Sequence, residues 1–305
     1  MTTNTVSRTN AESLPSKCEP SDCLRLALPK GRMEPAVVRL LADAGVQVTQ
    51  SARAYRPVVS FPGAQAKTLK PQNIVEMLHL GARDVGFAGA DWVAEMRANV
   101  VEVLDTGLDP VRIVAAAPEA LVRAGVATKS PLIVATEYER LARAWVDRLG
   151  LEATVVKTFG ATEVFPPEDA DCIVDNAATG STLRANGLVV FDELMRSSTR
   201  LYANPRALEN SVKRERIDAL AMLVRSALEA RSKAIVDVNV SCDRLDAVVA
   251  ALPAMREPTI SPLRSGAGFA VRVAAPRADL PTLIPRIKAI GGTDIIVTAP
   301  VQIAP

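Results

Sequence analysis

From residue 23 onward, short apolar runs alternate with segments of helical period that close on glycine. That alternation restricts the chain to layered α/β architectures, because each strand needs neighbours and each helix must bury one stripe. Residues 23–29 (CLRLALP) read as an apolar strand, Lys30-Gly31-Arg32 as a tight loop, and MEPAVVRLLADAG as an amphipathic helix ended by Gly45. VQVTQSARAYRPVVSF gives one or two strands. Residues 71–80 form a helix ended by Gly81, and DVGFAGADW reads as a strand, a glycine turn and a helix capped by Asp91. VVEVLDTG and VRIVAAAP read as two strands.

A second α/β unit follows. LIVAT is a strand, Thr136 and Glu139 have capping-box spacing, and Leu141, Trp145, Val146 and Leu149 make the apolar face of a helix closed by Gly150. ATVVKTF and DCIVDN are strands, TGSTLRANG opens a helix, and VVFDELMRSSTRLYAN has strand character at each end. Residues 207–233 form a long helix that crosses between domains. The remaining segment reads βαββαβ, the ferredoxin-like plan. A chain of 305 residues supports two or three such domains. The polar segment 1–22 has no apolar core of its own. It reads as a disordered tail rather than a secretory signal.

Composition excludes several function classes. Lys plus Arg total 36 against 34 for Asp plus Glu, so no large nucleic-acid footprint is expected. Aromatic residues make up 4%, too few for base-stacking platforms. No apolar run reaches the roughly 18 residues of a membrane span. A single histidine removes His-rich zinc sites and paired-histidine catalysis, and His79 reads as a structural residue at a helix end. The four cysteines show neither CxxC nor metal spacing, as expected of reduced thiols.

The chemistry concentrates in DCIVDNAATGSTLRANGL. An apolar strand ends at Asp175, and Thr179, Gly180, Ser181 and Thr182 follow at a helix start. Backbone N–H groups, hydroxyls and a glycine that permits close approach suit a phosphate. A carboxylate at the strand end suits two ribose hydroxyls. Together they describe a sugar 5-phosphate site, and an ordinary Ser/Thr cap is the plainer alternative. In Leu28-Pro29-Lys30-Gly31-Arg32, two cations flank a glycine at a strand end, the position facing the ligand crevice of open α/β sheets. They suit polyphosphate, and a solvated turn is the alternative. Neither a GxGxxG in a strand–helix context nor a P-loop occurs.

With these motifs in view, the sequence resembles the ATP phosphoribosyltransferase family. ALPKGR is similar to its opening strand and loop, LKPQNI to its LRPQDI helix start, and VGFAGADW to its LGITGRDW turn. GATEVFP with DCIVDNAATGSTLRANGL resembles its phosphoribosyl pyrophosphate loop, and VDVNVSCDRLDAVVAALPAMREPTISPL its regulatory domain. The resemblance implies an α/β fold with a two-lobed, periplasmic-binding-protein-like catalytic body plus a C-terminal ferredoxin-like regulatory domain. Residues 23–117 and 201–231 would form domain 1, 118–200 domain 2 and 232–305 the regulatory domain. The implied reaction transfers the phosphoribosyl group to N1 of ATP and expels pyrophosphate with Mg²⁺. Implied too are feedback inhibition by histidine, a cytoplasmic location and homo-oligomers from dimer to hexamer.

By the same resemblance, Thr179, Gly180, Ser181 and Thr182 hold the 5-phosphate, while Asp175 and Glu163 face the ribose or pyrophosphate. Lys30, Gly31, Arg32 and Arg53 face pyrophosphate or the ATP phosphates, with Lys30, Arg32, Glu163 and Asp175 as the catalytic set. Gly89 and Asp91 lie near the nucleotide, and Asn239 and Thr259 are candidate histidine contacts. No metal ligand is assigned. Lys70, Asn73, Ala88, Ala90 and Phe165 depart from the family pattern. On that ground a catalytically weak, histidine-sensing homologue is the alternative function.

Overall fold

The computed structural model describes residues 22–49, 55–253, 257–264 and 266–304. Residues 1–21 of the expected tail (1–22) and Arg53 lie outside the described residues. The first lobe contains β1 (Leu24–Pro29), α1 (Glu34–Asp43), β2 (Val48–Thr49), β3 (Val58–Val59), β4 (Ala64–Leu69), α2 (Pro71–His79), β5 (Val85–Gly89) and α3 (Ala90–Met96). The long strand β6 (Val101–Pro118) leaves it for the second lobe. That lobe holds α4 (Glu119–Ala124), β7 (Leu132–Thr136), α5 (Glu139–Leu149), β8 (Ala153–Lys157), β9 (Cys172–Ala177) and α6 (Ser181–Ala185). The equally long β10 (Leu188–Ala203) returns to the first lobe, where α7 (Pro205–Glu209) and α8 (Ser211–Ser232) follow.

The β1 run is apolar apart from Arg25 because both faces are covered and both edges paired. Leu24, Leu26, Ala27 and Leu28 are buried, and β4 and β5 flank the strand in parallel. Helix α1 packs Val37, Leu40 and Leu41 onto it, and Gly45 closes the turn at a φ of 80°. One sheet of order β4-β1-β5-β10-β6-β9-β7-β8 runs through both lobes. It does so because β6 and β10 are continuous antiparallel partners from Leu188↔Pro118 to Ala203↔Val101. The C-terminal end of β10 pairs with β5, and the C-terminal half of β6 with β9.

The two strands expected around Gly107 are therefore one. Gly107 and Asp109 take φ values of 64° and 46°, which bend β6 without ending it. The Thr106 hydroxyl donates to the Thr199 carbonyl and Thr199 Oγ1 donates to Asp109, so polar groups freed by the bend find partners across the pair. The irregular pairings at 197–200 lie opposite this bend. Each lobe keeps its own core. Leu24, Leu40, Ile217, Leu220 and Val224 belong to the first, and Ile113, Val134, Tyr138, Trp145 and Val174 to the second.

The helix expected over 207–233 is broken at Asn210, whose extended backbone ends α7 and whose side chain caps α8; from there α8 runs straight into the third unit. That unit is β11 (Lys233–Ser241), α9 (Leu245–Ala251), β12 (Thr259–Pro262), β13 (Gly268–Pro276), α10 (Leu280–Ala289) and β14 (Thr293–Thr298). Its sheet order, β12-β13-β11-β14, is the ferredoxin-like arrangement read from the sequence. The C-terminal residues return to the first lobe, where the Ile303 amide donates to the Ser226 carbonyl and the Gln302 side chain to the Asp43 carbonyl. Among the described residues, no helix is long and apolar enough to cross a membrane.

Asp84 fastens the first lobe ahead of β5. Its side chain is 3% exposed and accepts from the backbone and guanidinium of Arg25 on β1 and from Lys213 on α8. Burial alone would raise its pKa, but the hydrogen bonds from Arg25 and Lys213 prevail and hold it below the ordinary 3.8. Its contribution to stability is present above pH 3.8 and is lost as the pH falls through the depressed folded value. Replacing Asp84 with Ala leaves Arg25 and Lys213 facing a buried void. Denaturant unfolding at pH 7 is expected to show a loss of about 3 kcal/mol.

Candidate functional site

At the end of β9, the backbone turns at residues 178–180 and enters α6. Gly180 sits at φ 69°, the left-handed conformation that a side chain resists, and a Cβ there would lie 3.3 Å from the Arg184 guanidinium. Thr179 and Ser181 hydroxyls are 3.0 Å apart, and Arg184 donates to the Thr179 carbonyl at 3.1 Å. Glu163, Asp175, Thr179, Gly180, Ser181 and Thr182 line one cavity of about 290 Å³, and Arg32 of the first lobe closes its far side.

Asp175 is the most strained ionisable group in this cavity. Burial raises its pKa and the nearby Glu137 and Glu163 carboxylates raise it further. The Asn176 amide and side chain oppose the shift, and the result is about 6. Glu137 is also pushed upward by burial, against the pull of Lys70 and Lys157. Two departures from the family pattern thus have definite places. Lys70 begins α2 beside this acidic cluster, while Ala88 is wholly buried in an apolar cluster with Ala27, Ile74 and Tyr202.

A second cavity of about 130 Å³ adjoins the first. Lys30, Arg32, Gly89, Asp91, Trp92 and Asp109 line it from the first lobe and the crossing strand, and Tyr138 and Asn176 from the second lobe. Arg32 and Asn176 border both cavities, so the two are parts of one crevice between the lobes. Gly31 turns at φ 86° to bring Lys30 and Arg32 to its edge. Lys30 donates to the Tyr55 hydroxyl at 3.1 Å and stands 4.7 Å above the ring. Asn239 and Thr259 are elsewhere, on one face of the third unit's sheet. Asn239 pairs with Ala270 and Thr259 with Arg272, so β13 runs between them and their strands are roughly 10 Å apart.

Asp91 does not cap α3, as expected from its position after the glycine turn. Gly89 is the cap residue, and the Asp91 carboxylate is buried inside the crevice wall. It accepts from the Ser197 hydroxyl and from the Tyr138 hydroxyl, both at 2.7 Å. The capping box at Thr136 and Glu139 is also absent. Tyr138 is the cap residue of α5, and Thr136 Oγ1 instead accepts from the Tyr138 amide and donates to the Val174 carbonyl. An N-cap must stand next to the first helical turn, and Thr136 is still in the strand.

Sequence reading missed Tyr138, Asn176, Glu137 and Ser197. The first three do carry a signal, since they are polar residues at or just past the C-terminal ends of two parallel strands, where α/β sheets present ligands. Ser197 carries none, because only the pairing of β10 with β5 brings it to Asp91. Tyr138 stacks on Trp92 with centroids 4.7 Å apart and receives a hydrogen bond from Asn176 at 3.4 Å. Burial and the Asp91 carboxylate push its hydroxyl well above the ordinary value, so it stays a donor across the working pH range.

An aspartate whose folded pKa is raised destabilises the fold when ionised. The stability that Asp175 permits is full below pH 3.8 and is lost as the pH rises through about 6. Asp175→Asn is therefore expected to raise folding stability by about 3 kcal/mol at pH 8, with a smaller gain at pH 5. Thermal unfolding at the two pH values measures the difference, and equal gains at both would contradict the assignment.

Comparison with known proteins shows the family. The ATP phosphoribosyltransferase (HisG) family model matches residues 70–226, and the HisG C-terminal domain model residues 230–300. An ATP phosphoribosyltransferase from Pelotomaculum thermopropionicum is 37% identical over 278 residues, covering 90% of this chain and 96% of its own. That of Chlorobium phaeobacteroides is 36% identical over 277 residues, covering 89% and 94%. Among solved structures, the ATP phosphoribosyl transferase (HisG:HisZ) complex from Thermotoga maritima is similar at a TM-score of 0.60 and 24% identity. It covers 68% of this chain and 98% of the matched one, and it shows the fold alone. The chain belongs to the ATP phosphoribosyltransferase family, in the long form that carries the additional C-terminal domain.

Proposed function

We propose that the interlobe crevice is where this transferase brings its two substrates together. The family reaction moves the phosphoribosyl group of phosphoribosyl pyrophosphate onto N1 of ATP, the first step of histidine biosynthesis. In this reading, Thr179, Gly180, Ser181 and Thr182 take the 5-phosphate, and Asp175 accepts from the ribose hydroxyls. Glu163 stands at the pyrophosphate end. Lys30 and Arg32 face the leaving pyrophosphate and the ATP phosphates, and the wall from Gly89 to Asp91 lies beside the nucleotide. The observation that carries the reading is Arg32, which borders both cavities from the lobe opposite the phosphate loop.

The chemistry asks little of acid–base groups. The lone pair of adenine N1 forms the new bond to C1 of the ribose as the C1–oxygen bond to pyrophosphate breaks. Electrons leave with pyrophosphate, so the protein must orient two anions and stabilise charge on the departing one. Guanidinium and ammonium groups at Arg32 and Lys30 suit that task. Among the described residues, no cluster of three His, Cys, Asp or Glu groups forms a metal cage. Mg²⁺ fits the site as a companion of the substrate, since it keeps phosphate and water ligands and needs only one or two carboxylates. Glu163 and Asp175, whose mutual repulsion marks excess negative charge, would hold it there. When bound, it neutralises the developing charge of pyrophosphate.

The third unit is read as a histidine-responsive domain, with Asn239 and Thr259 as candidate contacts. Exposed Ile296 and Val297 on its edge strand β14 support assembly into homo-oligomers, from dimer to hexamer. The same reading takes the cytoplasm as its compartment, since ATP is abundant there.

Pyrophosphate release is expected to require ATP, phosphoribosyl pyrophosphate and Mg²⁺, and to fall when histidine is added. Thr179→Val is expected to lower kcat/KM for phosphoribosyl pyrophosphate about tenfold or more through loss of one hydrogen bond to a charged group. Unchanged kinetics in that variant would remove the phosphate loop from the site. Histidine inhibition that survives unchanged in Asn239→Ala would remove Asn239 from the effector site.

A further inference from the structure

Glu95 is a buried carboxylate that the reaction does not use. It lies on α3 in the first lobe and is 9% exposed. Its two oxygens accept backbone N–H groups of Arg140 and Leu141, at 2.9 and 3.0 Å. Those amides belong to the first turn of α5 in the second lobe, where a helix has donors with no intrahelical acceptor. No side chain of that segment caps the helix. The cap comes from the other lobe, and its negative charge is also favoured at a helix N-terminus.

Glu95 does not act alone. Asp91, one turn earlier on the same face of α3, accepts from the Tyr138 hydroxyl, and Trp92 stacks on the Tyr138 ring. One short helix therefore grips residues 138–141 at several points. Opening the lobes here would strip Glu95 of both amides and leave Asp91 with Ser197 alone. On the second-lobe side, Tyr138 touches Asn176, and Asn176 donates to Asp175. The angle between the lobes is thus tied to the carboxylate read here as the ribose contact.

We propose that Glu95 is a positioning residue, an interlobe latch that holds the two walls of the crevice at the separation required for transfer. The inference rests on the crevice being the site of transfer. Each lobe has its own core, so loosening the latch changes their relation more than their folding. A displacement of about 1 Å between bound reactants costs up to roughly a hundredfold in rate.

The test uses the full chain with Glu95→Ala and Glu95→Gln, each assayed for pyrophosphate release and for phosphoribosyl pyrophosphate binding by calorimetry without ATP. The Ala variant is expected to lower kcat about ten- to a hundredfold, with a smaller loss of that binding. The Gln variant keeps one carbonyl acceptor for an α5 amide and is expected to recover part of the loss. Trp92 fluorescence should shift to the red in the Ala variant as the stack on Tyr138 opens. An unchanged kcat in Glu95→Ala overturns the proposal. So does a loss of kcat and binding together that Gln does not relieve, which would mean that Glu95 merely keeps α5 folded. Thr179→Val in the same assays keeps the two readings apart. If it leaves binding intact, the crevice assignment fails whatever Glu95 does.

Discussion

The hydroxyl of Tyr138 ties the two walls of the crevice together. It donates to Asp91 in the first lobe and accepts from Asn176 beside Asp175 in the second. A buried carboxylate is costly without donors, and Asp91 has two hydroxyls, one from each side of the crevice. The contact with Tyr138 completes the satisfaction of that charge. The continuous strands β6 and β10 make this possible, since β6 bends at Gly107 and Asp109 without breaking the sheet.

Electrostatics divides the crevice between the lobes. The first supplies cations, Lys30 and Arg32, at the end of β1. The second supplies the phosphate loop together with Asp175 and Glu163. Two carboxylates facing one cavity repel each other, which is part of why Asp175 titrates near 6. Such an arrangement weakens the fold where both groups are ionised, a cost that functional sites commonly carry.

Much of the fold was legible because its signals are local. The largely apolar run at 23–29, the glycine at 45 and the helical pattern read over 207–233, which breaks only at Asn210, each report a neighbourhood of a few residues. The βαββαβ order of the third unit was legible for the same reason. The errors were also local in origin. Gly107 looked like a strand end because its conformation favours a turn, yet side chains of Thr106 and Thr199 carry the pair past it. Thr136 and Asp91 looked like caps because their residue types and spacing suit caps. In each case, a partner distant in sequence took the group instead, Val174 for Thr136 and Ser197 with Tyr138 for Asp91.

By itself, the sequence determined which segments become strands and helices and placed the glycine-hydroxyl loop of residues 179–182 at a helix start. Those outcomes follow from backbone preference and periodic burial, which act over one or two turns. Only the tertiary structure decided that Arg32 closes the cavity opposite that loop, that Asp91 is a buried acceptor, and that Glu95 caps a helix of the other lobe. These depend on groups 45 to 106 residues apart along the chain for the hydrogen-bonded pairs, brought together by the crossing strands. Hydrogen bonds act over about 3 Å, so no local pattern could have reported them.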